Sequence, residues 1–279
     1  MATAWAARRQ VVLLVGPTSA GKSALALEVA AERDVDVAAL DPFYALRELN
    51  VGTGKSDLLA IDARETHLID LVEANEAPPP NEQLLAQLRE VVETRSRPVI
   101  IDGCSSTLVC AAGAVLPSQC LRVGLWCSDY LSVLRRTQRR VQGMFAQGAI
   151  EEVKQLIERG DGGAFALRHS IIYRWALAVL WHHVPEQRAV DLCALELARD
   201  HFHQLEAYRS LPDVAWFDTA REGQRVAHNR VLQYLDTAGP RAPLKSTDSA
   251  DPTDSQLTRT RVSQPGGTPS TTERAPERR

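Results

Sequence analysis

The chain has 279 residues, 44% of them hydrophobic, which is enough for one full α/β domain with a smaller part attached. Its formal net charge of −3 argues against a large nucleic-acid-binding surface, because such surfaces carry an excess of Lys and Arg. The five cysteines form no C-x-x-C pair, which favours reduced thiols over a disulfide framework or a zinc site. No signal-peptide pattern and no apolar run of ~20 residues is visible, so we expect a soluble cytoplasmic protein without membrane contact.

The clearest pattern lies near the start of the chain. Residues 11–15 (VVLLV) are apolar and mostly β-branched, which predicts a buried parallel strand. Residues 16–23 (GPTSAGKS) fit the phosphate-binding loop G-x-x-x-x-G-K-S/T, and residues 24–33 are strong helix formers. The alternative is an ordinary glycine-rich turn, but the strand before it and the helix after it favour phosphate binding.

Each type of group in this loop has a physical task. Gly16 and Gly21 let the backbone turn so that its N–H groups point at an anion, and the helix N-terminus adds partial positive charge. Lys22 supplies a full positive charge, and the Ser23 hydroxyl can reach a bound Mg²⁺. The loop does not identify the owner of the phosphate, since kinases, NTPases and some transferases share it.

Further strands alternate with helices along the first half of the chain. Strands are predicted at residues 35–40, 98–102 and 121–126, and this alternation indicates a parallel sheet covered on both faces. Asp41 stands at the carboxyl end of its strand, where ligands bind in open α/β sheets. Residues 42–55 follow as a polar segment that we expect to be flexible and suited to closing over a site.

The second half is mostly helical. We predict three regions: a P-loop α/β core at 1–128, a helical part at 129–236 that completes the core and the substrate channel, and a tail at 237–279. Residues 214–217 are a possible last strand. The tail is rich in Pro, Ser, Thr, Gly and charge, so it buries too little apolar surface to offset chain entropy and is expected to be disordered.

Four segments of the chain form a further pattern: residues 16–23, residues 40–41 with 51–54 (VGTG), residues 101–108 (IDGCSSTL), and Arg140 with Met144 in R-V-x-x-M. Together they resemble the isopentenyltransferases that prenylate the N6 of adenine. The resemblance extends through the whole predicted folded region, and the spacing from Asp41 to the Gly-Thr-Gly segment is its most specific feature. It implies a P-loop NTPase-like fold and transfer from dimethylallyl diphosphate.

That family has two branches, the tRNA dimethylallyltransferases and the adenylate isopentenyltransferases that make cytokinins. The tRNA branch carries a long helical insertion after the third-strand segment, whereas here fewer than twenty residues separate Gly103 from Leu121. Residues 197–208 also resemble the adenylate branch. We therefore expect AMP as acceptor, a first step of cytokinin biosynthesis, no nucleic-acid partner and a monomer; tRNA is the alternative acceptor.

The resemblance and the strand-end position together make Asp41 the expected base for the adenine amine. The alternatives for Asp41 are an Mg²⁺ ligand and a helix cap. For the leaving group, the resemblance implies that Lys22, Thr18 and the loop N–H groups hold the diphosphate, with Ser23 on Mg²⁺. Arg140 would reach the same oxygens from the helical side; for each arginine of its helix the alternative is a solvated face.

The resemblance implies four further substrate contacts, Thr53, Ser105, Tyr173 and Arg174. Thr53 is expected to help hold the adenine, with a plain loop threonine as its alternative. One departure stands out, because the family usually has a glycine where this chain has Cys104.

Two other functional classes fit parts of the pattern. A P-loop kinase of a small metabolite would share the loop, the sheet and the size, with the arginines after Asp129 as its lid. A non-enzymatic nucleotide sensor would need the loop alone. The Gly-Thr-Gly segment favours prenyl transfer over the kinase, since kinases do not require it.

Overall fold

The computed structural model describes residues 10–59, 66–221 and 223–237. Its centre is a six-stranded sheet in the order β3-β2-β4-β1-β5-β6, with every neighbouring pair parallel. The predicted α/β class with a parallel sheet is therefore confirmed. The strands are β1 (Val11–Val15), β2 (Asp36–Leu40), β3 (Thr66–His67), β4 (Val99–Gly103), β5 (Leu121–Trp126) and β6 (Val214–Asp218).

Helices cover both faces of this sheet, because the strands are apolar on both sides. All five residues of β1 are buried, and Val12 and Leu14 pack in the cluster formed with α1 and α10, while Leu13 packs with α3 and α4. The helices are α1 (Lys22–Glu32), α2 (Ser56–Leu59), α3 (Asn81–Thr94), α4 (Ser106–Ala112), α5 (Tyr130–Gln147), α6 (Ala149–Glu158), α7 (Phe165–His169), α8 (Ile171–Leu180), α9 (Glu186–Tyr208) and α10 (Gln224–Thr237).

The helical part packs around a second apolar core that joins α5, α6, α8 and α9. Val141, Val153 and Tyr173 are fully buried in this core. The chain then returns to the sheet, since β6 pairs with β5 and α10 packs behind β1. The helical part is therefore an insertion between strands of the same sheet, because β5 precedes it and β6 follows it.

Hydrogen bonds hold part of the segment after Asp41, because Glu152 accepts from the backbone N–H groups of Asn50, Val51 and Gly52. Helix α10 lies in the part of the chain predicted as helical, although its own bounds were not predicted because its apolar residues are interspersed with polar ones. The tail that we expect beyond it lies outside the described residues. None of the described helices is long and apolar enough to cross a membrane.

Candidate active site

A large cavity opens at the carboxyl ends of β1, β2 and β4. It has a volume of about 810 Å³, within the range of pockets that hold a small-molecule ligand. The parallel register brings the ends of these strands to one edge, so the loop after β1, Asp41 after β2 and the turn after β4 meet there. Helices α5 and α9 close the opposite wall with Arg136, Arg140 and Gln204.

The phosphate-binding loop has the geometry that its glycines predict. Gly16 has φ 140°, and a Cβ there would lie 2.0 Å from the carbonyl oxygen of Leu125. Gly21 has φ 103° and is the N-cap of α1, which has no side-chain cap, so the first N–H groups of the helix remain available to a ligand. Both positions therefore need glycine for backbone reasons, and the loop forms an anion cradle at a helix N-terminus.

Lys22 and Ser23 both point into the protein from the first turn of α1. Lys22 is only 5% exposed, and its ammonium donates to the carbonyl of Pro17 at 3.0 Å, which leaves further donors for a ligand. The Ser23 hydroxyl donates to Oδ2 of Asp102 at 2.6 Å. Asp102 is fully buried at the end of β4, so a carboxylate stands beside the predicted Mg²⁺ ligand.

Asp41 is the carboxylate with the most altered acidity in this site. Its pKa is raised from 3.8 to about 6, mainly because burial disfavours the ionised form and in smaller part because of the negative charge of Asp102. The N–H of Phe43, which donates to Oδ1 at 2.8 Å, and the charges of Lys22 and Arg140 oppose this shift. A pKa near neutrality lets this carboxylate hold and release a proton under ordinary conditions.

The arginines of α5 differ in their surroundings. Arg136 donates to the hydroxyl of Thr219 at 2.8 Å, so its guanidinium is fixed against β6. Arg140 lies against the Gly54 backbone, since a Cβ on Gly54 would be 2.7 Å from Nη2. No hydrogen bond joins Arg140 to another described residue, and its charge lowers the pKa of Asp41. Arg135 is exposed and does not line the cavity.

Helix α9 holds the phosphate-binding loop through Thr18. The Thr18 N–H and hydroxyl both donate to Oε1 of Gln204, at 2.8 and 3.2 Å, while Nδ1 of His201 lies 2.7 Å from the Thr18 carbonyl. Asp200 fixes the amide of Gln204 by accepting from Nε2 at 2.6 Å. Burial lowers the pKa of His201 to about 4, so it is neutral and donates through Nδ1.

The four further predicted contacts have different places. Thr53 and Ser105 line the cavity; the Thr53 hydroxyl donates to the Leu49 carbonyl at 2.6 Å, and Ser105 caps α4. Tyr173 is fully buried beneath Gly52, so it supports the wall rather than facing the cavity. The structure does not bring Arg174 to the site, because its guanidinium pairs with Glu196 at the surface.

Cys104 occupies the place where the resemblance expects glycine. Its thiol lies 3.6 Å from Oδ1 of Asp102, and the residue lines the cavity. Burial, with the charge of Asp102, raises the pKa of this thiol well above its ordinary value. Cys104 is therefore a neutral thiol here and adds no charge beside Asp41.

Several site residues lay outside the sequence prediction. The strand-end argument that selects Asp41 applies equally to Asp102, so that residue could have been found. Gln204, His201 and Glu152 act on backbone groups distant in the chain, and no spacing in the sequence signals such contacts. They become visible only when α6 and α9 are packed against the loops.

The fold and the site define an α/β protein that binds an anionic phosphate group at the carboxyl edge of its sheet. The chain belongs to the isopentenyl transferase family, whose model matches residues 9–182. It is therefore a prenyltransferase, and the kinase and sensor interpretations are set aside.

Similar proteins match along most of the chain. A tRNA dimethylallyltransferase of Thermomicrobium roseum is 24% identical, over 77% of this chain and 88% of the relative. One of Oenococcus oeni is also 24% identical, over 76% of this chain and 90% of the relative. Among solved structures, a tRNA isopentenylpyrophosphate transferase of Staphylococcus epidermidis has the same fold, with a TM-score of 0.69 at 14% identity over 82% of this chain and 99% of that one.

These relatives correct one expectation. We expected no nucleic-acid partner from the net charge of −3, and the names of the relatives, all tRNA-modifying, contradict that. Net charge averages over the whole surface, whereas a nucleic acid responds to local charge. Four cations line the cavity against two carboxylates, so its local charge is positive although the average is negative; they are Lys22, Arg136, Arg139 and Arg140 against Asp41 and Asp200.

Asp41→Asn should stabilise the protein at neutral pH. A carboxyl whose pKa is raised on folding adds stability below the unfolded pKa near 3.8 and loses it as the pH rises through about 6. The ionised Asp41 therefore costs about 1–3 kcal/mol at pH 7.5, which Asn avoids. We expect the variant to melt about 3–8 °C above the wild type at pH 7.5, and at the same temperature as the wild type at pH 4. A melting difference that is the same at both pH values would contradict the raised pKa.

Proposed function

We propose that this enzyme transfers a dimethylallyl group from dimethylallyl diphosphate to the N6 amine of an adenine in tRNA. The observation that supports it most is the presence of Asp41, Lys22 and Arg140 in one cavity, a raised-pKa carboxylate facing two cations. The tRNA acceptor is supported by the relatives, which are named tRNA dimethylallyltransferases and which this chain matches over most of their length.

The charge arrangement fits a displacement at the allylic carbon. The adenine amine is a poor nucleophile, because its lone pair is delocalised into the ring. As N6 forms a bond to the allylic carbon, the carbon–oxygen bond to diphosphate breaks and its electron pair leaves with the diphosphate. Asp41 takes the proton from N6, and its pKa of about 6 means that it is ionised at neutral pH.

The leaving diphosphate needs positive charge and hydrogen-bond donors. The loop N–H groups and Lys22 face it from the sheet side, and Arg140 faces it from α5. Arg140 suits this role because its guanidinium has no hydrogen-bonded partner among the described residues, so a bidentate contact costs no existing bond. Charge that develops on the leaving oxygen is thus met by fixed groups of opposite sign.

The residues also fit an Mg²⁺ ion at the diphosphate. Ser23 and Asp102 present two hard oxygens 2.6 Å apart, and the described residues contain no cluster of three His, Cys, Asp or Glu side chains that would form an all-protein metal site. Mg²⁺ commonly takes few protein ligands and completes its shell with phosphate oxygens and water. When bound, the ion would neutralise charge on the diphosphate. With Asp102 beside Ser23, Asp41 is left for the proton.

A free adenine nucleotide is a second candidate acceptor, favoured by one observation. The connection from β4 to β5 holds only the seven-residue helix α4 between Gly103 and Leu121. The family resemblance places the long tRNA-embracing insertion at this connection. A connection without that insertion suits a small acceptor such as AMP.

The acceptor assay separates these candidates. Purified enzyme with dimethylallyl diphosphate and Mg²⁺ is offered unmodified tRNA, AMP, ADP or ATP, and products are identified by mass spectrometry after nuclease digestion. We expect dimethylallyl-adenine in the tRNA digest, with a kcat/KM above that of each free nucleotide. A preference for AMP would replace the tRNA acceptor by the second candidate. No prenylated product from any acceptor would overturn the proposed function.

Lys22→Ala and Arg140→Ala should each slow transfer through the leaving group. Loss of one charge-assisted contact of this kind costs about 2–4 kcal/mol in the transition state, or about 30- to 1000-fold in rate. Arg135→Ala is the matched control, because it removes the same charge from α5 outside the cavity. Steady-state kinetics should show the control within about twofold of wild type. A variant of Lys22 or Arg140 that keeps normal turnover would remove that residue from the mechanism.

Asp41 should govern the pH dependence of transfer. In the wild type, kcat/KM should rise about tenfold per pH unit below about 6 and level off above it, as the carboxylate becomes ionised. Asp41→Asn keeps the size and one acceptor oxygen, so acceptor KM should change little while kcat falls roughly 10²–10⁴-fold and loses this pH dependence. Rescue of the variant by millimolar Mg²⁺ would instead assign Asp41 to the metal.

A further inference from the structure

Glu152 makes a set of contacts that the reaction itself does not explain. It lies in the first turn of α6, where the helix N-terminus favours a negative charge. Its carboxylate accepts from the N–H groups of Asn50 and Val51 at 2.8 Å and of Gly52 at 2.9 Å. It also accepts from the Tyr173 hydroxyl at 2.7 Å. Three successive N–H groups that converge on one anion form a nest, here filled by the protein's own carboxylate.

Tyr173 completes this contact from below. Its ring is fully buried, and a Cβ on Gly52 would lie 2.3 Å from Cε1, so the backbone of Gly52 rests directly on the ring. No other residue type fits at this position without moving the ring. The segment is thus fixed from two directions, by hydrogen bonds to Glu152 and by contact with Tyr173.

The segment so fixed forms one wall of the cavity. Val51, Gly52, Thr53 and Gly54 all line it. The backbone of Gly54 lies where its Cβ would be 2.7 Å from Nη2 of Arg140 and 3.3 Å from Cε of Met144. The end of the wall at Gly54 thus lies against α5, while Thr53 and Gly52 face the part of the cavity in front of Asp41 and Tyr44 that we assign to the acceptor. On its far side, the fully buried Lys55 pairs with Asp70 and holds the end of the segment.

We propose that Glu152, together with Tyr173, is a positioning residue that holds residues 50–54 in place for prenyl transfer. The proposal rests on the proposed function of the cavity. Glu152 touches no reacting atom; it acts through the backbone of residues 50–52 that it binds, and so through Thr53, the residue of this wall that is expected to hold the adenine. The phosphate-binding loop is held separately, by β1 and by Thr18 to α9, so the diphosphate side should be largely independent of Glu152.

Glu152→Gln tests this with a matched control. The amide has the same size but one fewer acceptor oxygen, and its NH₂ faces donors. Glu151→Gln is the control, because Glu151 is the neighbouring residue of the same helix turn, is exposed and contacts only Lys154 among the described residues. We expect Glu152→Gln to lower kcat/KM for the acceptor about 10- to 100-fold, while Mg²⁺-dependent binding of inorganic pyrophosphate, measured by calorimetry, changes less than about threefold. Glu151→Gln should match the wild type in both.

A second measurement does not depend on activity. Hydrogen exchange of the amides of residues 50–52 should be slow in the wild type and in Glu151→Gln, and at least about tenfold faster in Glu152→Gln. Tyr173→Phe is the second variant if Glu152→Gln folds poorly. It removes only the hydroxyl donor to Glu152, so amide exchange in residues 50–52 should be faster than in the wild type, but by less than about tenfold. Unchanged exchange, or transfer within twofold of wild type, would overturn the proposal. An inactive wild type would remove the proposed function, whereas the exchange result would still decide whether Glu152 holds the segment.

Discussion

The site depends on how the charges of two neighbouring carboxylates, the half-buried Asp41 and the buried Asp102, are balanced. Asp41 and Asp102 end neighbouring parallel strands, so the register of β2 and β4 brings two negative charges to one edge. Burial and the charge of Asp102 favour the proton on Asp41, and Lys22 and Arg140 oppose them. The balance leaves Asp41 with a pKa of about 6, which costs stability at neutral pH but keeps a proton acceptor close to working pH.

The sheet alone does not make this balance. Lys22 comes from the loop after β1, but Arg140 comes from α5, and the loop itself is held by His201 and Gln204 of α9. The helical part therefore supplies one of the two cations, Arg140, and holds the loop that carries the other, Lys22. A P-loop on a bare sheet edge would bind phosphate without presenting a second cation across from it. The chain connects the two through the apolar core between α5 and α9, so packing there also sets the geometry of the site.

The sequence predicts the parts of this protein that depend on local pattern. The apolar run of β1, the glycines of the loop and the strand-end place of Asp41 follow from period, turn chemistry and the geometry of parallel sheets. Contacts that join distant segments could not be predicted in this way. Glu152 is one of several acidic residues on α6, a residue type that usually lies at the surface. Only the packed structure shows that it accepts hydrogen bonds from three backbone N–H groups. Arg174 illustrates the reverse case, since a local resemblance suggested a substrate contact and the helix turns that side chain to Glu196.

Net charge gave a wrong expectation about the nucleic-acid partner for a related reason, because it does not say where on the surface the charges lie. The chain carries −3 overall, but acidic side chains such as Glu151, Glu158 and Glu93 lie on exposed helix faces, where water screens them. The cavity cations are partly desolvated and face one another across a small space, so their field on a phosphate is stronger than the same charges would give at the surface. Recognition of a polyanion depends on that local field. A slightly acidic enzyme can therefore present a local excess of cations to the phosphates of its substrates, even though Asp41 and Asp200 line the same cavity.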